Sequence, residues 1–589
     1  MHHPAARRLR RIAKPMAELR SWARSGELGL VGIALLAGIA SGVLAAGMGA
    51  AARALHQLFG SGVVHGALSA IRGADPLRLV LLPVLGGLLL SLFNLALARR
   101  RPRVPVDPIE ANALHGGRMS IWDGAVVAVQ NIISNGFGAS VGLEAGYTQV
   151  GGGFASRLGI LLGLRRGDLR ILVGCGAAGA IAAAFDAPLT GAFYAFELVI
   201  GTYAIAGLAP VVTSAVAATL VARALNGQTY YVQPGGVPSP GWDGYVMALL
   251  LGLFSALAAI ALMRGVSAIE AGMKVAVPRA ALRPAVGGLG VGILALLSPG
   301  VLSAGHGALH VAFTTEAPMR AVLLLLVLKA LASALSLGAG FRGGLFFASL
   351  LLGALLGKVF AAVAPHFGLP LIDPLLLAVV GMSAFGTAVI GAPLAMTFLA
   401  LESTGNFAIA GAVLTGVTVA GLLVRRAFGY SFATWRFHLR GETIRSAHDI
   451  GWLRDLTVGR LMRRDVRTIR DDTRLSSFRR DFALGSTERV VALDEAGRYA
   501  GIVLVAEAHA ETELEGTIAP LLRLKDKALL PNMNAKQAMA IFDAAEVESL
   551  AVLDSRESRN VIGLVTASHL LRRYGEELDK RRQEEVGLS

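Results

Sequence analysis

The sequence predicts an α-helical membrane protein that carries a soluble α/β domain at its C-terminal end. Its mean hydropathy is +0.60 and only 16% of its residues are charged, which is typical of a chain that mostly faces lipid. Near residue 440 the composition changes, and charged residues then appear every few positions. Apolar runs recur before that point, each long enough to cross a hydrocarbon core about 30 Å thick. The clearest are residues 28–54, 78–98, 205–224, 244–263, 284–302, 319–338 and 408–424.

These changes divide the chain into consecutive segments. Residues 1–25 form a basic cytosolic segment, 26–440 the membrane domain, 441–454 a linker, 455–578 the soluble domain and 579–589 a charged tail. Arginine and lysine concentrate beside the ends of the membrane spans, which is the pattern of cytoplasmic loops. We therefore expect an integral protein of the plasma (inner) membrane, surrounded by lipid, with both termini in the cytoplasm.

The formal charge of +15 does not point to a nucleic-acid partner. The basic residues lie in tails and short loops, without interleaved aromatic residues and without a soluble fold that would display them to a polyanion. We expect no binding of DNA or RNA.

The membrane domain contains a repeat. Two segments share a run of small residues, then Ala-Pro-Leu, then a glutamate at the same distance from the proline. A twice-used segment interrupted by glycine and proline is typical of a transporter built from two halves with its binding site between them. The alternative is chance similarity between two helices that pack through small residues. The first copy comprises Gly174, Ala177, Gly179, Pro188 and Glu197, and the second Gly381, Ala384, Gly386, Pro393 and Glu402.

The soluble domain is repeated as well. Residues 491–494 read V-A-L-D and precede a G-I-V run at 501–503, and residues 551–554 read A-V-L-D before a G-L-V run at 563–565. Each copy predicts the order helix, strand, turn, strand, helix.

Carboxylates at bilayer depth are energetically costly, so those in apolar segments are candidates for function. Glu144 is the most informative of them, because glycines flank it just before an apolar helix. A helix start offers free N–H groups and a positive dipole end to an anion. A carboxylate there can occupy the anion's position and leave it when an anion competes or a proton neutralises it. Glu144 is therefore a candidate gate; the alternative is a glutamate that only caps its own helix. The full set is Glu144, Asp186, Glu197 and Glu402.

Two segments resemble the CLC family of chloride channels and chloride/proton antiporters. Residues 140–152 read S-V-G-L-E-A-G-Y-T-Q-V-G-G, similar to the family's S-V-G-R-E-G-P segment. Residues 338–348 read G-A-G-F-R-G-G-L-F-F-A, similar to its G-S-G-x-P-G-G-x-F-A-P loop. The repeated Ala-Pro-Leu segment is a third match.

This resemblance implies an inverted-repeat bundle of many tilted and broken helices, whose N-termini meet an anion near the midplane. It also implies a homodimer with a separate pore in each subunit, and chloride or another small anion as the transported species. The matching positions make Glu144 the gate and place the anion-binding backbone at Leu143, Ala145, Leu345 and Phe346.

The chain departs from the family where side chains would hold the anion. The family's serine loop aligns with residues 104–108, which puts Pro105 in place of the serine; a register three residues earlier would put Pro102 there. A proline at this position is similar to family members that favour nitrate. Asp107 would repel an anion, so we expect it to cap the following helix. Ala433 stands where the family has a tyrosine, so both side-chain donors are missing and backbone amides are left to hold the anion.

Two further departures concern charge. Leu198 follows Glu197 at the position where proton-coupled members carry a second glutamate, and leucine cannot relay a proton. This favours a gated channel over a chloride or nitrate/proton antiporter. Arg342 replaces a family proline beside the anion loop, while Leu143 replaces the basic residue beside the gate. Arg342 would attract anions if it faced the pore; otherwise its guanidinium would extend to the membrane interface.

The soluble repeat resembles a tandem pair of CBS domains, a cytosolic module that often binds adenine nucleotides. In that family a Ser or Thr, with an Asp three residues later, holds ribose and phosphate. The second copy here has Thr566 and His569, and the first has Leu504 and Glu507. Thr566 and His569 are thus candidate nucleotide contacts, and a purely structural role is the alternative. The resemblance requires no cofactor.

Two other classes of function fit the sequence less well. A CBS-regulated cation transporter would need convergent carboxylates or carbonyls, which the glycine-rich helix starts do not provide. An enzyme would need a paired nucleophile and base, and none is apparent, so we assign no catalytic residue. His306 and His310 are spaced to share a helix face, but no third ligand lies nearby, and we assign no metal site.

Overall fold

The computed structural model describes residues 20, 26–59, 68–71, 73, 75–100, 104–227, 239–440, 456–512 and 516–586. The chain divides into two compact units, residues 1–448 and 449–589. Pro102 and the linker 441–454 lie outside the described residues, as do most of the segment 1–25 and the last three residues of the tail.

The first unit is helical throughout its described part. Its first half contains α1 (Glu27–Phe59), α2 (Pro76–Arg100), α3 (Pro108–Leu114), α4 (Ile121–Gly136), α5 (Glu144–Leu162), α6 (Arg166–Phe185), α7 (Pro188–Tyr194) and α8 (Ile205–Asn226). Its second half contains α9 (Trp242–Ala276), α10 (Arg283–Leu297), α11 (His306–Thr314), α12 (Met319–Gly338), α13 (Phe346–Val363), α14 (Pro374–Ile390), α15 (Pro393–Thr404), α16 (Phe407–Ala427) and α17 (Phe432–Leu439).

Within the described residues, nine helical stretches are long and apolar enough to cross a membrane. All the predicted apolar runs coincide with such stretches, although the run 284–302 is shorter in the structure because α10 ends at Leu297, before Pro299. Two further stretches, Arg166–Phe185 and Phe346–Phe367, are largely buried inside the protein. Shorter helices such as α7 and α15 complete the bundle, which confirms the prediction of many broken helices.

The repeat is visible as two equivalent helix pairs, α5 with α6 and α13 with α14. In the first pair a Cβ on Gly151 would lie 2.3 Å from the Gly176 carbonyl oxygen, and in the second a Cβ on Gly353 would lie 2.2 Å from that of Gly381. Both helix pairs therefore touch backbone to backbone. The glycine alignment in the sequence was wrong by two residues, because Gly176 rather than Gly174 makes the contact that corresponds to Gly381.

The two halves also exchange helix caps. Glu402 at the end of α15 accepts hydrogen bonds from the backbone N–H groups of Leu189 (2.8 Å) and Thr190 (2.9 Å) at the start of α7. Glu197 lies in the π-helical turn Ala195–Ile200 that continues α7, and it accepts from the N–H groups of Leu394 and Ala395, both at 3.0 Å, at the start of α15. Each glutamate thus satisfies orphan donors and the positive dipole end of the other copy's helix.

The second unit contains two similar α/β modules, as its repeat predicted. The first has β1 (Thr468–Arg470), α19 (Leu475–Asp481), β2 (Arg489–Leu493), β3 (Tyr499–Leu504) and α20 (Val505–Ala510), after the short α18 (Val458–Leu461). The second has α21 (Ala535–Ala545), β4 (Ser549–Leu553), β5 (Val561–Thr566) and α22 (Ala567–Val586). Strands β2 and β3 pair antiparallel, as do β4 and β5, and β1 runs parallel to β2.

The repeated aspartate closes the hairpin turn in each module. Asp494 accepts hydrogen bonds from the backbone N–H groups of Ala496 and Arg498. Asp554 accepts from the hydroxyl of Ser558 and from the backbone N–H of Asn560. These bonds favour the ionised carboxylates, so the pKa of each aspartate lies below its usual value. The predicted order of helix, strand, turn, strand and helix is confirmed in both copies.

We predict that Gly353→Ala destabilises the membrane unit, because its Cβ would lie 2.2 Å from the Gly381 carbonyl oxygen and α13 would have to move from α14. Overpacking of this kind costs about 1–3 kcal/mol. Thermal unfolding of the detergent-solubilised protein should show a lower midpoint. Gly265→Ala in α9 is the matched control, since a Cβ there meets nothing within 4 Å. Equal midpoints for both variants would contradict the close approach.

Glu402→Gln should also lower the thermal midpoint. A carboxamide keeps one acceptor oxygen and turns an N–H₂ group toward the N–H donors of α7, so at least one charge-assisted bond is lost, worth about 2 kcal/mol. Glu316→Gln is the control, because Glu316 is an exposed carboxylate near the end of α11. If the two variants unfold at the same temperature, the exchanged cap contributes nothing measurable.

Candidate functional site

Two loops bring the first turns of α5 and α13 together. Gly142 donates its N–H to the Gly344 carbonyl at 2.9 Å and accepts the Gly344 N–H at 3.3 Å, which forms an antiparallel bridge. Each glycine lies two residues before its helix. Because both helices start here, their positive dipole ends and unpaired N–H groups lie side by side, which is a favourable position for an anion.

Glu144, the first residue of α5, lies at this point and is only 4% exposed. Its Oε1 accepts the backbone N–H of Phe347 in the first turn of α13 at 3.2 Å. Its Oε2 is buried and has no hydrogen-bond partner among the described residues. A Cβ on residue 142 would lie 1.9 Å from Oε2, so only glycine fits beneath the carboxylate. The side chain therefore crosses from its own helix to the neighbouring helix start.

The predicted anion-binding backbone is only partly gathered at this site. Ala145, Leu345 and Phe346 line a cavity beside Glu144, and within the described part of the chain the N–H groups of Leu345 and Phe346 have no hydrogen-bond acceptor. Leu143 is buried but does not line the cavity. The structure adds the Phe347 amide, which the sequence analysis missed because the bond to Glu144 depends on how the side chain folds back.

The cavity has a volume of about 630 Å³ and joins segments that are far apart in the sequence. It extends from the buried Glu144 to the exposed Lys274 and Arg440, at the ends of α9 and α17. It therefore connects the helix starts with the exposed, basic ends of α9 and α17. The predicted site residues on its wall are Pro105, Glu144, Ala145, Leu198, Arg342, Leu345, Phe346 and Ala433.

The side chains of Pro105 and Ala433 add no donor to this wall. Asp107 caps α3, accepting the Ile109 N–H at 2.8 Å, as predicted. Beside Ala433, the Ser431 hydroxyl and Thr434 form a capping box for α17 and are engaged with each other. Neither family position thus offers a side-chain hydroxyl to the cavity.

Positive charge lines the outer part of the cavity. Arg342 lies on the cavity wall, together with Lys274, Arg436 and Arg440. Two of these are paired: Lys274 with Glu270 at 2.9 Å and Arg440 with Glu110 at 3.4 Å. The sequence analysis did not predict Lys274, Arg436 and Arg440 as cavity residues. Basic residues beside the end of a membrane span were interpreted there only as evidence for the cytoplasmic side of the membrane.

The remaining intramembrane carboxylates point elsewhere. Leu198 lines the cavity, while the preceding Glu197 is bound to α15 and to the Tyr203 hydroxyl, at 3.0 Å. Asp186, at a positive φ of 54°, pairs with Arg223 at 2.5 Å. Among the described residues the carboxylates on the cavity wall are Asp107, Glu144 and Glu270.

In the second unit, Thr566 and His569 lie at the junction of β5 and α22. The Thr566 hydroxyl accepts the His569 backbone N–H at 3.3 Å, and the His569 ring lies 3.2 Å from the Arg572 guanidinium. Partial burial and nearby arginines lower the pKa of His569. In the first module Glu507 pairs instead with Arg523, at 2.6 Å.

The histidine pair of α11 does not form a metal site in the described part of the chain, where no group of three potential ligands is found. His306 stacks on the Phe347 ring with a centroid distance of 3.7 Å. This residue thus packs against the start of α13.

Known proteins resemble this chain in sequence and in fold. A "Voltage-gated ClC-type chloride channel ClcB" of Salmonella typhimurium is 30% identical over 409 residues, which cover 67% of this chain and 95% of that protein. A "Putative chloride channel protein ClcB-like" of Ralstonia nicotianae is 33% identical over 362 residues, covering 59% and 83%.

Among solved structures, a slow cyanobacterial Cl⁻/H⁺ antiporter is similar with a TM-score of 0.62 and 22% identity, covering 70% of this chain and 97% of that chain. A eukaryotic CLC transporter is similar with a TM-score of 0.57 and 18% identity, covering 94% and 98%, so the likeness in fold extends into the second unit.

Residues 86–425 match the family described as voltage gated chloride channel. The match covers more than half of the chain and includes the helix starts around Glu144. This chain belongs to the CLC family of voltage-gated chloride channels.

Proposed function

We propose that the protein is a gated channel for small anions, chloride foremost, in which Glu144 is the gate. As a member of its family it is a membrane transport protein and not an enzyme. The observation that carries the proposal is the bond from the Phe347 amide to the Glu144 carboxylate, between two helix starts and at the inner end of a cavity. A carboxylate in this place stands in for the anion that the amides would otherwise hold.

The gate would open in either of two ways. An anion in the cavity can compete for the Phe347 amide, or a proton can neutralise Glu144 and weaken its attraction to the helix dipoles. Because Oε2 has no hydrogen-bond partner in the described part of the chain, only one oxygen of the carboxylate is anchored there. Swinging this side chain away therefore costs one hydrogen bond, while the N–H groups of Leu345 and Phe346 remain for the anion.

The cavity wall favours passive conduction over proton exchange. Leu198 carries no proton, and Glu197 is held by the α15 amides away from the cavity. The alternative is a chloride or nitrate/proton antiporter, for which Glu270 would be the inner carboxylate; proteins of similar fold include a Cl⁻/H⁺ antiporter. A cation transporter is the remote alternative, and the arginines on the wall oppose it.

The family resemblance is the basis for what we propose about oligomeric state and cellular location. We propose a homodimer with one pore per subunit, in the plasma (inner) membrane, with both termini in the cytoplasm. Arg425 and Arg426 at the end of α16 support this orientation, because arginine beside a span favours the cytoplasmic side.

For the second unit we propose a structural role in which Thr566 caps α22, and adenine nucleotide binding at Thr566 and His569 is the alternative. The Thr566 hydroxyl is already engaged by the His569 N–H. Glu507, at the position in the first module that corresponds to His569, would repel a phosphate. Titration of the full-length protein with ATP and AMP distinguishes the two roles.

Glu144→Gln should give anion flux that no longer depends on pH, whereas the flux of the wild-type protein should rise on acidification because protonation releases the gate. Purified protein in liposomes, with chloride efflux measured by a chloride electrode and proton movement by a pH electrode, provides the measurement. Glu316→Gln, an exposed carboxylate outside the cavity, should behave as wild type.

The same assay separates the alternatives. Chloride efflux without uphill proton movement supports the channel. Stoichiometric proton pumping by the wild-type protein would instead identify an antiporter, and an absence of anion flux would overturn the proposed function.

Arg342→Gln should lower chloride flux by about threefold at low ionic strength, since a unit charge about 6 Å from an anion in a watery cavity contributes roughly 0.7 kcal/mol. The difference should shrink near 1 M salt, where the Debye length is only about 3 Å. Arg425→Gln is the control, because Arg425 is exposed and does not line the cavity. A salt-independent loss of flux would point to a structural role for Arg342.

A further inference from the structure

The cavity contains a phenol that the family resemblance does not assign. Tyr194, the last residue of α7, lines the cavity, and its ring lies 6.0 Å from that of Phe346. Phe346, like Leu345, carries a backbone N–H that has no acceptor among the described residues. The Tyr194 side chain interacts with the Thr148 hydroxyl and lies within electrostatic reach of Glu144 and Asp107. The phenol is therefore at the gate end of the cavity, next to the Phe346 side chain.

Tyr194 differs from the other hydroxyl-bearing residues of the cavity wall in the partner of its proton. The side-chain hydroxyls on the described cavity wall are those of Thr148, Tyr194 and Ser267. Thr148 donates to the Glu144 carbonyl at 3.1 Å, one turn back in its own helix. Ser267 donates to the Met263 carbonyl at 3.3 Å and accepts the Trp435 indole N–H. Of the three, only Tyr194 has a proton that is not committed to a helix carbonyl.

The neighbouring Thr148 hydroxyl is a weak competitor for that proton. Because the Thr148 hydrogen is directed to a helix carbonyl, its oxygen can offer the phenol only a neutral lone pair. An anion in the cavity is a stronger acceptor, since a hydrogen bond to a charged group is about twice as strong as one between neutral groups. The phenol would therefore exchange Thr148 for the anion at a net gain.

We propose that Tyr194 is the side-chain hydroxyl donor to the anion in this cavity, in place of the donors absent at Pro105 and Ala433. The inference rests on the proposed function, since it concerns the same anion. It assigns the donor to α7, a helix of the first half, whereas Ala433 belongs to α17. A single phenol proton gives the anion a localised donor, so small halides gain more from it than nitrate, whose charge is spread over three oxygens.

Tyr194→Phe tests this directly, because it removes the hydroxyl and keeps the ring that packs on Phe346. Chloride binding to the purified protein, measured by isothermal titration calorimetry, should weaken about tenfold or more, as expected for the loss of a bond to a charged group. The ratio of nitrate to chloride flux in liposomes should rise, which a loss of folded protein alone would not produce.

Tyr203→Phe is the matched control. Tyr203 lies nine positions further along the same segment, but its hydroxyl donates to Glu197 and it does not line the cavity. Its chloride affinity and flux ratio should equal those of the wild-type protein. Adding Ala433→Tyr to Tyr194→Phe should restore much of the affinity, because it returns a phenol to the same cavity from α17.

The outcomes separate this inference from the proposed function. If wild-type protein carries no anion, the proposed function fails. If it carries chloride and Tyr194→Phe leaves affinity and flux ratio unchanged, only the role of Tyr194 fails. Should Tyr194→Phe not fold, anomalous diffraction from wild-type crystals grown with bromide decides the matter. A bromide within hydrogen-bond distance of the Tyr194 oxygen supports the proposal, and a bromide bound only to backbone amides overturns it.

Discussion

The bridge between Gly142 and Gly344 is the contact on which the rest of the site depends. Two backbone hydrogen bonds fix the starts of α5 and α13 next to each other, so that two helix dipoles and their free N–H groups converge. Glu144 reaches the Phe347 amide only because this bridge holds the two helices in register. Neither helix start alone would provide the combined field, so in the proposed channel the anion would be held at the junction of the two halves.

Close packing at small residues also positions the two helix starts at this junction. Helix backbones touch in each half at a pair of glycines, Gly151 with Gly176 and Gly353 with Gly381. These contacts hold α5 against α6 and α13 against α14. Each glycine at these positions makes the helix about 1 kcal/mol less stable than alanine would. Membrane helices gain little from burying apolar surface against each other, so close van der Waals packing replaces that driving force.

Much of the architecture could be predicted from the sequence because hydropathy and repeats report directly on spans and modules. Glu144 and Arg342 were found at the cavity because motif position predicts backbone position. Phe347, Tyr194 and the basic residues of α9 and α17 were missed, since their roles depend on contacts between segments more than 40 residues apart. The role of Glu197 as a helix cap was also not predicted, because its partner amides lie 197 and 198 positions away.

The exchanged caps have a consequence for synthesis of the chain. Leu189 leaves the ribosome 213 residues before Glu402, so the start of α7 enters the bilayer without its acceptor. An uncapped helix end in hydrocarbon carries a penalty of several kcal/mol per group. Until α15 has been made, the N–H groups of Leu189 and Thr190 therefore lack the carboxylate that accepts from them in the folded protein. The exchanged cap is thus completed only when nearly the whole membrane domain has been made, and a chain truncated between the halves would lack the acceptor for the start of α7.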